Sequence, residues 1–390
     1  MSEQDNGQVA TLQRPTTTNR YDWNVYWEQQ GQSWRTEPEI DIERQKYLAE
    51  RRYIEPEFQR DIYPFSSIKL DRADIEWLLV THESGRGPVD SRDESQCRRI
   101  GLDLRGADLS HAFLRFLPLG GTLFLNAHLE SADLFYAHLE NANLINAHME
   151  GADLNGVHLE GASLYNAFFD SATRLDTVTL SDKKFGAAKF TDVHWGDVNL
   201  AVVEWSTVSE SGDESTARIL KNGKIAKTDL RSQDMLKGSY KLAARAYRQL
   251  SVVLRNQGLN EDAARFAYRA QLMQRKVFWR QRKFGQYLFS LFLDLLSGYG
   301  YKPLRSFIAY LIVITAFATA YFIIGQTVGP VLSPLGSVVF SMTSFHGRGF
   351  FPGGIGLDDP LTVIAACEAF VGLLIEVTFI ATLTQRLFGK

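Results

Sequence analysis

Residues 126–170 read NAHLE SADLF YAHLE NANLI NAHME GADLN GVHLE GASLY NAFFD, a run of five-residue blocks. The fourth place in each block is Leu, Met or Phe, and the second is Ala or Val. The register holds over about fourteen blocks, through Leu104, Leu109, Leu114, Leu119, Phe124, Leu129, Leu134, Leu139, Leu144, Met149, Leu154, Leu159, Leu164 and Phe169. A period of five fits neither the 3.6 of a helix nor the 2 of a strand. It fits a solenoid in which each block is one side of a square coil, with the bulky and the small residue both turned into a confined interior. Four blocks per coil predict twenty-residue coils stacked at about 4.8 Å. One inserted residue then moves the phase to Leu175, Leu180, Phe185, Phe190, Trp195, Leu200 and Trp205, where aromatic side chains are expected to widen or cap the coil.

His128, His138, His148 and His158 recur every ten residues, each followed two places later by Glu130, Glu140, Glu150 or Glu160. A four-sided coil stacks His128 on His148 and His138 on His158. A metal-binding ladder is the sharper reading of these rows. We read them instead as solvated rows flanking the inward leucines, since duplication of two blocks leaves a period of ten. No metal and no cofactor is expected.

The chain has 390 residues, a net charge of −3 and 22% charged residues. That balance points to no nucleic-acid partner and no acidic tail. Two cysteines, Cys97 and Cys367, provide no disulfide framework and fit a reducing compartment. Residues 1–20 are polar, without an apolar signal core, and read as a disordered tail. No P-loop, metal-spaced Cys/His pair or nucleophile elbow stands in the chain, so an enzyme is not expected.

Around the repeats (101–207) the reading is mostly helical. Residues 21–100 hold two short amphipathic helices, one around residues 37–55 and one in DRADIEWLLVTH, expected to cap the open end of the coil. Residues 208–283 hold a helical hairpin and linker, with Gly258 as a stop and Asn260 as a start. One such pair cannot bury both its faces alone, so it must pack on the repeats, on the membrane segment or on another copy. Arg275, Lys276, Arg280, Arg282 and Lys283 form a basic cluster just before an apolar stretch (284–303) too short to span a bilayer and interrupted by Asp294. This is expected to lie at the membrane interface.

From Ser306 to Phe345 there is no Asp, Glu, Lys or Arg. Two spans are expected, at 304–325 and 360–385, with basic residues at Lys302, Arg305, Arg386 and Lys390 setting both ends on the cytoplasmic side. Between them, Ser333 and Pro334 open a helix over 334–345 that is too short to cross. It is followed by the glycine-broken loop 345–352. Irregular backbone at membrane depth is tolerated only inside protein or beside water. Two spans and one loop cannot enclose a pore alone, whereas four copies about an axis can.

The A(D/N)LXX pattern resembles the pentapeptide-repeat proteins, whose fold is a right-handed quadrilateral β-helix. The order span, re-entrant helix, glycine-rich return and span resembles the two-transmembrane pore-loop channels of the potassium type. The whole order resembles a bacterial family of pentapeptide-repeat ion channels, carried by RADIEWLL, the repeats, YRQL…NQG…FAYRAQ, SGYGYKP and the EAFVG of the second span. That resemblance implies a multidomain membrane protein: a β-helix, an α-helical hairpin and a two-transmembrane pore-loop channel domain. It also implies a homotetramer in the cytoplasmic membrane, passing inorganic ions. A cytosolic protein partner on the β-helix is left open.

The family's T-V-G-Y-G filter falls on Phe345, His346, Gly347, Arg348 and Gly349, with Thr343 and Ser344 just before. Arginine stands where the tyrosine would be, so selectivity is open between cation, weakly selective and anion. Arg348 would need an acid such as Glu368 or Asp358. Glu368, Gly372 and Glu376 share one stripe of the second span. Glu368 is expected to brace the filter, Gly372 to sit at a bend or a close helix crossing, and Glu376 to face an inner cavity. The competing reading is a non-conducting membrane-tethered scaffold using the β-helix to bind protein.

Overall fold

The computed structural model describes residues 13–57, 59–90, 93, 95–96, 99–222, 230–326, 332–347 and 360–388. In the repeats, isolated parallel bridges join residues twenty apart: Asp108 to His128, His128 to His148, Asp133 to Asp153 and His138 to His158. Four pentads thus bring the chain back over itself, through bridges and turns rather than continuous strands. Both recurring positions face inward. Leu109, Leu129, Leu139, Ala127, Ala137 and Ala147 are fully buried.

The first place in each pentad turns the corner at positive φ. Gly106, Gly121, Gly151, Gly156 and Gly161 occupy it, as do Asn126, Asn141, Asn146 and Asn166. Glycine and asparagine tolerate this left-handed region best. On one corner the asparagine amides form a ladder, with Asn146 Nδ2 donating to Asn126 Oδ1 and Asn166 Nδ2 to Asn146 Oδ1, each at 2.8 Å.

The later register departs from even pentads. Asp153 pairs with Arg174, twenty-one residues on, as one inserted residue requires, but Ser163 pairs with Lys189, twenty-six on. The extra residues fold out as an antiparallel hairpin of β1 (Ser181–Asp182) and β2 (Gly186–Ala187). Asp182 Oδ1 accepts from the Phe185 N–H and closes its turn. Phe185, expected to point inward, therefore stands half-buried in the hairpin. Phe190, Trp195 and Trp205 are buried and pack edge-on or tilted against one another, closing the coil with aromatic rings.

The chain divides into two compact units, Met1–Asp262 and Ala263–Lys390. In the first, α1 (Arg20–Gln29), α2 (Ile42–Arg51) and α3 (Arg72–Val80) precede the repeats. Helix α1 had no counterpart in the sequence reading. Lys69 makes a parallel bridge to Asp108, so the segment before α3 adds a side to the first coil. Helix α3 is buried nearly all round, not on one stripe as an amphipathic helix would be. Its fully buried Glu76 accepts from the N–H groups of Thr36 and Glu37 and from Arg72 Nε at 2.7 Å. Arg72 also donates to the carbonyls of Trp34 and Arg115, pinning the cap to the repeat.

After the repeats come α4 (Gly212–Asn222) and α5 (Leu230–Asn256). The Gln257 side chain, just past α5, bonds the Val198 carbonyl and the Leu200 N–H, while Arg245 pairs with Asp192 at 2.7 Å. Helix α5 therefore lies on the last coils. Of the surfaces the hairpin needed, the repeats supply this one.

The second unit contains most of α6 (Asn260–Arg280), then α7 (Phe284–Ser297), α8 (Pro303–Gly325), α9 (Pro334–Phe345) and α10 (Pro360–Phe388). Leu304–Gly325 and Pro360–Ala381 are each 22 residues with mean hydropathy 2.3 and 2.2, long and apolar enough to cross a membrane. Only 17% and 22% of their most apolar windows are buried, unlike the core helix of a water-soluble domain.

Candidate functional site

Helix α9 starts where Ser333 Oγ accepts from the Gly336 N–H at 3.1 Å, with Pro334 at its first position. Glu368, on α10, is fully buried. Its carboxylate accepts from the Tyr321 hydroxyl of α8 at 2.7 Å and from the Ser341 hydroxyl of α9. One acid thus ties three helices together, which satisfies a carboxylate that burial would otherwise penalise heavily. Around it, Tyr321, Leu332, Phe340, Leu361 and Ala365 form an apolar cluster.

Further along, a Cβ placed on Gly372 would overlap the Phe345 carbonyl oxygen. Any larger residue there would push α9 from α10, so the close crossing is what this glycine serves. Phe345 is buried with Leu296, Ile314 and Ile375. Next, His346 Nδ1 meets the Glu376 carboxylate, and its ring lies 6.0 Å from that of Tyr310. The matched levels are Tyr321–Ser341–Glu368, then Ile314–Phe345–Gly372, then Tyr310–His346–Glu376. Helices α9 and α10 therefore run in one direction and α8 in the other.

These contacts revise the roles assigned to two carboxylates. Glu376, not Glu368, reaches the residue following α9. Glu368 lies about two turns earlier on α10 and is committed to Tyr321 and Ser341. Thr343 and Ser344 belong to the last helical turn with Phe345; Thr343 Oγ1 donates to the Phe340 carbonyl at 2.9 Å and Ser344 is buried. His346 and Gly347 are exposed, and Gly347 has φ +64°. Arg348, Gly349 and Asp358 lie outside the described residues, as does Cys97.

Of the basic cluster, Arg275 turns inward. Its Nη1 donates to Asp294 Oδ2 at 2.6 Å, while Tyr268 and Arg305 each donate to Oδ1 at 2.9 Å. Burial opposes ionisation of Asp294, but Arg275, Tyr268 and Arg305 outweigh it and hold the carboxyl below its usual range. The acid that interrupts the apolar run is thus the node joining α6, α7 and α8. Arg282 and Lys283 are exposed at the turn into α7, Arg282 with φ 56°, and Lys276 is exposed on α6 beside Met273. Arg280 is half-buried near the end of α6. An open groove of about 610 Å³ between α7, α8 and α10 is lined by Leu291, Leu295, Ile308, Ile312 and Leu374, with Asp294 and Arg305 also on its wall.

Sequence reading missed Tyr321 and Ser341 as partners of Glu368, and the node at Asp294. The available signal was a tyrosine or serine on each helix neighbouring Glu368, and a tyrosine and two arginines on the helices flanking Asp294. Pairing them required the helices to be placed.

In the repeats His128 stacks on His148 with centroids 5.4 Å apart, and His138 on His158 at 4.9 Å. Each Nδ1 meets the glutamate two places on, at 2.9–3.2 Å. The rows are not both solvated, as expected from sequence: Glu140 and Glu160 are buried. The hydrogen bond with Glu160 raises the pKa of His158 against the opposing effect of burial, with Glu140 and Asp182 adding to the rise.

Residues 119–151 and 132–170 match the family model for pentapeptide repeats, in eight copies. The middle of the chain is thus a run of such repeats. None of the curated proteins matches the chain. Similar solved structures include the pentapeptide repeat protein Rfr23 from the cyanobacterium Cyanothece 51142, 29% identical over 23% of this chain and 54% of its own, TM-score 0.18. A pentapeptide repeat protein from the Arabidopsis thaliana thylakoid lumen is 24% identical over 35% and 87%, TM-score 0.17. HetL, a pentapeptide repeat protein involved in heterocyst differentiation regulation in the cyanobacterium Nostoc, is 23% identical over 26% and 54%, TM-score 0.14. This chain spans about half the length of Rfr23 and of HetL.

Proposed function

We infer that the chain is one subunit of a homotetrameric pore-loop ion channel in a cytoplasmic membrane, multi-pass with both termini inside. In this reading the pentads form a right-handed quadrilateral β-helix in the cytosol. The observation that carries the reading is the direction of α9. It begins beside the end of α8, where Leu332 packs with Tyr321, and finishes beside Tyr310. The chain is next described at Pro360, with Leu361 back in the apolar cluster that holds Tyr321. Between Gly347 and Pro360 it must climb back past at least the eleven residues of α8 from Tyr310 to Tyr321, about 17 Å at 1.5 Å per residue.

A connection that descends between two apolar helices and turns at Gly347, with φ +64°, puts this non-helical backbone at the depth of hydrocarbon. That backbone needs protein or water around it. Fourfold assembly would supply both, placing the returning segments, with Arg348 and Gly349, around an axis. Backbone carbonyls at Gly347 and Gly349 could then line an ion path. An arginine ring there favours weak selectivity or anions over potassium.

The test is ion flux through purified full-length protein in liposomes, with the reversal potential read in asymmetric salt. Flux that changes charge preference in Arg348→Ala supports the reading. A folded tetramer without flux, in wild type and in Arg348→Ala and Glu376→Ala alike, would leave the membrane-tethered scaffold in its place.

A further inference from the structure

The two histidine–glutamate rows are alike in sequence and unlike in burial. In one, Glu130, His148 and Glu150 bring ligand atoms within 4.8 Å of one another, all half-exposed. In the other, Glu140, His158 and Glu160 do the same, but with both carboxylates buried. Side-chain exposure is 34% for Glu130 and Glu150 against 7% for Glu140 and Glu160. Glu160 uses one oxygen on His158 Nδ1 at 3.1 Å. Its other oxygen is buried and has no hydrogen-bond partner in the protein. Buried carboxylates are normally paired or hold a metal.

We propose that Glu140, His158 and Glu160 form a divalent-cation site suited to Zn²⁺, bound through His158 Nδ1 and one oxygen of each carboxylate. Two carboxylates balance the charge of the ion, and one imidazole with two carboxylates is a donor set zinc accepts, leaving a position for water. Ligands about 2.1 Å from one tetrahedral ion stand about 3.4 Å apart, close to the 3.1 Å between His158 Nδ1 and Glu160 Oε1. Glu140, held by His138 Nδ1 at 3.0 Å, completes the set by turning its side chain. Glu140 lies in one coil and His158 and Glu160 in the next, so the ion would clip neighbouring coils. Binding to the folded state alone would stabilise the stack. The proposal does not depend on the pore.

The test uses untagged full-length protein in detergent, stripped of metal by a chelator and titrated with Zn²⁺ alone in competition with a chromophoric chelator. Thermal unfolding of the repeats is followed in parallel by circular dichroism. One zinc per chain and a raised unfolding midpoint are expected. Glu160→Gln should weaken binding about tenfold or more and remove the midpoint shift, while Glu150→Gln on the opposite row leaves both unchanged. If Glu160→Gln does not fold, His158→Ala, which keeps both carboxylates, carries the same expectation. Absence of a stoichiometric zinc in wild type, or equal losses in the two glutamine variants, would overturn the proposal.

Discussion

At the scale of single residues, buried acids organise both units. Glu368 receives hydroxyls from two other helices; its removal takes the carboxylate acceptor from Tyr321, whereas Ser341 keeps the Ile314 carbonyl at 3.1 Å. Glu368→Ala should cost about 1–3 kcal/mol for the buried Tyr321 hydroxyl left without this acceptor. Glu368→Gln, which keeps an acceptor oxygen, should cost clearly less. Denaturant unfolding in detergent measures the difference, and equal losses would show that Glu368 acts by volume alone. Asp213 is different in kind. It accepts from the Thr191 hydroxyl at 2.6 Å and the Phe190 N–H at 2.8 Å, with Lys189 as the cation acting on it. Burial raises its pKa, and those hydrogen bonds together with the Lys189 charge offset only part of the rise. A carboxyl raised above its unfolded value of about 3.9 contributes stability below about pH 4. That contribution is lost as pH climbs through the folded value. The wild-type unfolding midpoint should therefore fall relative to Asp213→Asn as pH rises above about 4. A gap that stays constant with pH would contradict this assignment.

At the scale of elements, the pentads obey one rule until the hairpin. Phe190 and Phe185 stand five residues apart and look equivalent in sequence. Phe190 is 1% exposed among tryptophans, while Phe185 sits in a hairpin outside the stack. Phe190→Ala should cost about 3–5 kcal/mol and Phe185→Ala no more than about 1 kcal/mol, read from circular-dichroism melting of the full chain. Comparable losses would return the hairpin to the coil. The same contrast between local likeness and different placement holds for α3. Its sequence suggests one apolar stripe, but the cap and the first coil enclose it from several sides. Arg72 and Glu76 are then needed to satisfy the carbonyls and N–H groups that meet there.

At the scale of the whole molecule, apolar surface is distributed unequally. The Met1–Asp262 unit buries the inward leucines of its pentads, whereas Ala263–Lys390 leaves Leu288, Phe289, Leu295, Ile312, Phe370 and Val377 exposed. Water-soluble monomers rarely expose contiguous apolar patches of such extent. The full chain should accordingly stay in the membrane fraction after an alkaline carbonate wash and leave it only with detergent. Release into the aqueous wash would argue that α8 and α10 are covered by protein instead of lipid.

Sequence alone determined the pentad register, the inward pairs and the existence of two long apolar helices. These follow from periodicities of a few residues, which local sterics and burial impose along the chain. Gly372 could be narrowed to a bend or a crossing, and only the helix arrangement decided for the crossing, because the Phe345 carbonyl comes from another helix. The partners of Glu368, the inward turn of Arg275, the expulsion of Phe185 and the unequal burial of two identical His–Glu rows were likewise decided by tertiary structure. Each depends on which distant surface arrives to displace water, and no spacing along one strand of sequence encodes that.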